Sequence, residues 1–172
     1  MKNIVLKYGL LSSTIIIISA IITIVLVGDV GDFYLAEWLG YLVMVVAFSM
    51  IFIGIKDYKN KNDDLIDFKT AFKVGIAISL VASLLYIIGW EIYFSINGEQ
   101  FIAAYTEKAI KDLTLAIPDK SDLEIEKKDF LVNMDLYKEL PYRVTITFIE
   151  IFPIAFIVTL ISSFILRTKS KN

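Results

Sequence analysis

The chain has 172 residues, 57% of them hydrophobic, with a formal net charge of -2 and a mean hydropathy of +0.69. It contains no Cys and no His, which excludes disulfides, thiolate nucleophiles, imidazole bases and metal sites built on either ligand. The acidic balance and the lack of a Gly-rich phosphate loop argue against a nucleic-acid partner.

The apolar residues fall into four blocks that are nearly free of charge. In hydrocarbon each unpaired polar group costs several kcal/mol, so this segregation is the pattern that a membrane demands. The first block runs from about Tyr8 to Val27 behind Lys2 and Lys7. Its apolar stretch is near spanning length and no small-x-small site follows, so it is expected to be a retained helix rather than a signal peptide. Asp29, Gly31 and Asp32 mark a short turn. The second block covers about 33–55, with Trp38 and Tyr41 near its start and Lys56, Lys59 and Lys61 at its exit. The third covers about 68–96, entered past Lys69 and Lys73 and ending on Trp90, Tyr93 and Phe94. The fourth covers about 141–166 and stops at Arg167, Lys169 and Lys171. Aromatic and basic residues at these positions suit the two faces of a bilayer.

Between the third and fourth blocks, residues 97–140 carry ten acidic residues and six lysines, split by Pro118-Asp119. Ile102, Ala109, Leu113 and Ile117 in one half, and Leu123, Phe130, Met134 and Tyr137 in the other, recur at helical spacing. The segment therefore predicts a helical hairpin inserted in a single membrane domain. The fold class expected is all-α, an integral membrane protein with four transmembrane helices and this hairpin outside the cytoplasm. Lys and Arg concentrate at the amino terminus, in the middle loop and in the carboxyl tail. By the positive-inside rule those segments are cytoplasmic and 97–140 is periplasmic.

Helix packing is the best-supported role for individual residues. Ala71, Gly75, Ser79 and Ser83 recur every four residues in the third block, and Gly40, Ala47 and Gly54 every seven in the second. Thr147, Ala155, Thr159 and Ser163 form a drifting stripe in the fourth. Small residues let helix backbones approach in lipid, within one chain or between chains. Pro153 withholds a backbone donor, frees the Ile149 carbonyl and predicts a kink.

Three carboxylates form a sharper candidate set. Counted at about 1.5 Å per residue, Glu37 lies roughly 28 Å from Lys56, Glu91 about 27 Å from Lys73 and Glu150 about 26 Å from Arg167. All three thus fall at one depth, near the outer edge of the hydrocarbon. Glu37 and Glu91, each beside a Trp, read first as wet interfacial residues. Glu150 is flanked by Ile149, Ile151 and Phe152, and is expected to point into the bundle toward a polar partner: Arg143, Glu91 or the freed carbonyl. Structural and functional roles for it stand level.

Phe52-Ile-Gly-Ile-Lys-Asp-Tyr58 closing the second block resembles a recurrent F-x-G-I-K-x-Y helix exit. Phe68-Lys-Thr-Ala-Phe-Lys-Val-Gly75 is similar to the matching F-x-x-A-F-K-x-G entry, and Trp90-Glu-Ile-Tyr93 to the aromatic end of that helix. With the final span from Pro153 to Arg167, these resemble the bacterial membrane proteins of domain of unknown function 4199 over nearly the whole chain. Two residues after the Pro, where that family usually has Gly, this chain has Ala155. The resemblance implies a four-helix inner-membrane protein and implies no activity.

The function expected is non-enzymatic. The hairpin engages another membrane protein, lipid or a second copy, and no cofactor is called for. The alternative is an oligomeric transporter or channel subunit that uses Glu37, Glu91 and Glu150. An intramembrane enzyme ranks last, because no nucleophile–base pairing is visible.

Overall fold

The computed structural model describes residues 1–27 and 33–168, with side chains described for 1–22 and 38–168. Among these residues the chain forms helices α1 (Lys2–Val27), α2 (Phe33–Asn60), α3 (Phe68–Ala116), α4 (Lys120–Lys138) and α5 (Leu140–Leu166), and no strand. Helices α1, α2, α3 and α5 are each long and apolar enough to cross a membrane. They coincide with the four apolar blocks, since a helix satisfies its backbone polar groups within the segment.

The largest departure from expectation is in α3. The third block was expected to end near Ile96, with a separate helix beyond it. Instead α3 continues for 49 residues to Ala116. Gly98 does not break it, although Gly costs about 1 kcal/mol against Ala in a helix. The Phe94 ring lies where a Cβ on Gly98 would be, its Cε1 2.8 Å away, and the Asn97 amide donates to the Tyr93 carbonyl one turn back. The helix yields only before Pro118. Asp119 then caps α4, its carboxylate accepting from the N–H groups of Ser121 and Asp122, which are orphan donors of a helix start. Asp67 caps α3 in the same way, accepting from the Thr70 hydroxyl at 2.6 Å and the Thr70 N–H at 3.0 Å. These bonds hold its carboxyl below the ordinary 3.8.

The chain divides into two compact units, one made of Met1–Gly89 with Phe148–Asn172 and the other of Trp90–Thr147. In the first, α3 packs against the other helices through its small residues. Ala71, Gly75, Ser79 and Ser83 are all buried. The Ser79 hydroxyl shares a 2.8 Å hydrogen bond with Thr159 on α5 and donates to the Gly75 carbonyl at 2.9 Å. Ala155, Thr159 and Ser163 complete the α5 side, buried like their partners. Gly54 on α2 admits Ile78 and Tyr8, and the Ser12 hydroxyl of α1 donates to the Ala47 carbonyl of α2 at 2.7 Å.

These seams therefore join helices within one chain. Two expected members do not belong to them. Gly40 has nothing within 4 Å of where its Cβ would be, and Pro153 is exposed. Gly40 stands seven residues before Ala47, two turns toward the start of α2. Pro153 lies two residues from buried Ile151 and Ala155, which puts it on the outer side of α5.

Candidate functional site

The second unit is organised by one ion pair. Glu91 follows Trp90 on α3. Arg143 sits in the first turns of α5, placed there by the short break at Glu139 between α4 and α5. The Arg143 Nε donates to both Glu91 oxygens at 2.9 and 3.1 Å, and Nη2 donates to Oε2 at 2.5 Å. Its Nη1 donates to the carbonyls of Tyr137 and Lys138 at 3.1 and 2.9 Å. Those carbonyls close α4, where a helix leaves its last acceptors without intrahelical donors. The guanidinium carbon also lies 3.8 Å from the centroid of the Phe94 ring. One side chain thus neutralises α3, caps α4 and stacks on an aromatic face, a combination open to Arg and closed to Lys.

The pair is largely withdrawn from water, with the Arg143 side chain 7% and that of Glu91 18% exposed. Charges this far from solvent are stable only when they are paired and their hydrogen bonds are satisfied. Aromatic rings surround them. The Trp90 indole N–H donates to the Tyr137 hydroxyl at 3.0 Å. Phe94 meets Tyr137 and Phe101 edge to face, Phe101 stacks on Tyr105, and Tyr105 stacks on Phe130. These contacts lay α4 back along the second half of α3. Phe130 and Tyr137 are half-buried in these contacts, and on the same face of α4 Leu123 is buried and Met134 half-buried.

Three of the four polar candidates have described side chains, and they do not form one set. Arg143 pairs with Glu91, which is not a free interfacial carboxylate. Glu150, in the first unit, is exposed on α5 beside exposed Ile149, where an inward direction was expected. Its neighbour Ile151 takes the buried position instead. Glu37 lies in α2, and its side chain is outside the described residues. Sequence reasoning missed Phe94 and Tyr137 as partners of the ion pair. The available signal was an Arg four residues beyond the break at Glu139, within reach of the carbonyls that end the preceding helix.

The arrangement offers rigidity more readily than reactivity. Among the described residues no three carboxylates gather to hold a metal ion. A groove of about 490 Å³ lies between α3 and α4, with Ile110, Leu131 and Val132 in it and Glu124, Lys127, Lys128 and Asp135 around it. The family model described as a protein of unknown function, DUF4199, matches residues 7–168. No curated protein and no solved structure matches the chain.

Proposed function

The chain belongs to the DUF4199 family, and we propose that it is a non-enzymatic, multi-pass protein of the bacterial inner membrane that presents residues 97–140 in the periplasm to engage a partner. The observation that carries this reading is the outer side of α4. One face of that helix is committed to the aromatic stack, yet Ile125, Leu131, Val132 and Leu136 remain exposed on the other. Apolar side chains grouped beside a charged groove, on a unit stiffened by a buried ion pair, suit a docking face. A transporter would call on Glu37, Glu91 and Glu150 together. The commitment of Glu91 to Arg143 favours the docking reading.

A photo-crosslinking residue at Val132 tests it in intact cells. It is expected to yield one discrete protein adduct that Leu131→Asp abolishes, whereas the same residue at exposed Leu42 on α2 yields none. A smear at Val132, or no adduct, would contradict the proposal.

A further inference from the structure

At one end of the first unit the chain holds basic side chains that its own acids do not neutralise. Hydrogen bonds from Tyr8 to Asp57, from Lys59 to the Leu166 carbonyl and from the Thr168 N–H to the Ile66 carbonyl gather four segments there. They are the start of α1, the end of α2, the α2–α3 connection and the end of α5. Two of the local acids are already engaged. Asp57 accepts from Tyr8 and Lys61, and Asp67 caps α3 through Thr70. Asp63 and Asp64 sit in the left-handed turn of the connection.

Lys56, Lys69 and Lys73 are different. All three are exposed, and among the described residues none has an acidic partner. Lys69 and Lys73 stand one turn apart on the same side of α3. Like charges at that spacing repel unless an anion lies between them. The lysines enter and leave helices apolar enough to span a bilayer. Their stems can lie along apolar surface while the ammonium groups reach headgroup level.

We infer that Lys69 and Lys73 bind the phosphate of an anionic phospholipid headgroup. Charge complementarity selects the lipid, because a basic cluster beside a spanning helix attracts anionic headgroups and is indifferent to zwitterionic ones. The inference rests on the membrane reading proposed above.

The test uses the full chain in neutral detergent, with its unfolding midpoint followed by tryptophan fluorescence. Phosphatidylglycerol is expected to raise the midpoint by at least about 3 °C, by preferential binding to the folded state. Phosphatidylcholine and inorganic phosphate should not. Lys69→Gln with Lys73→Gln should remove most of the rise and leave the starting midpoint no lower, whereas Lys111→Gln with Lys120→Gln should keep it. In the parent chain, the rise should shrink as salt screens the contact. Equal shifts with phosphatidylcholine, a shift from phosphate alone, a rise that survives Lys69→Gln with Lys73→Gln, or a rise indifferent to salt would each overturn the site. Flotation with vesicles separates the two levels. A chain that floats without a lipid preference loses the site alone, and a chain that does not float loses the membrane reading with it.

Discussion

Replacing Arg143 with Ala is expected to destabilise residues 90–147 by about 3–5 kcal/mol, the range seen when one partner of a buried ion pair is removed. The loss has two sources. Glu91 would remain withdrawn from water without its counter-charge, and the Tyr137 and Lys138 carbonyls would lose their donor. Hydrogen exchange should therefore accelerate first at the end of α4, then through the unit. Arg143→Lys should recover part of the loss, because it keeps the charge and loses the planar fork. Arg143→Met combined with Glu91→Leu should be milder than Arg143→Ala, since no uncompensated charge remains. An Arg143→Ala protein with the parent's exchange pattern and midpoint would remove the ion pair from its central place.

Gly75→Leu should be the most damaging change in the first unit, by about 1–3 kcal/mol or more, as for overpacking in a close-packed core. A Cβ at Gly75 would fall 2.7 Å from the Thr159 Cγ2 and 3.0 Å from the Ile55 Cδ1. Thr159 cannot turn aside cheaply, because its branched side chain is held by the hydrogen bond to Ser79. The helices would have to separate, and the Ser79–Thr159 bond would go with the contact. Gly40→Leu is the matched control, with nothing within 4 Å of the new Cβ. Thermal unfolding should show a lower midpoint for the first variant and little change for the second. Equal midpoints in both would mean that α3 and α5 do not approach at Gly75.

The contrast between Gly75 and Gly40 shows how far residue spacing can be read. Four apolar blocks and a series of small residues every four positions were legible, because helix period and the demands of hydrocarbon act on each segment separately. Gly75, Ser79 and Ser83 follow from that period. Gly40 has the same local credentials and fails, because close packing also needs a neighbour, and a neighbour is a property of the tertiary arrangement.

The carboxylates teach the same point. Depth along a helix can be counted from residue number, and it grouped Glu91 with Glu150. Burial then separated them, Glu91 being half-buried against Arg143 and Glu150 exposed. The continuity of α3 past Gly98 was hidden for a related reason. A Gly and a run of charges signal a break in isolation, but here Phe94 fills the space at Gly98 and the aromatic stack with α4 supports the helix beyond it.

The proposed topology puts residues 97–140 and the α2–α3 connection on opposite sides of a membrane. The chain has no cysteine of its own, so single cysteines report cleanly. Pro118→Cys, between α3 and α4, and Asn62→Cys, in the α2–α3 connection, should be compared in intact cells with a membrane-impermeant maleimide. Pro118→Cys should be labelled at once and Asn62→Cys only after the inner membrane is broken. Labelling of both before breakage, or of Asn62→Cys alone, would contradict this topology.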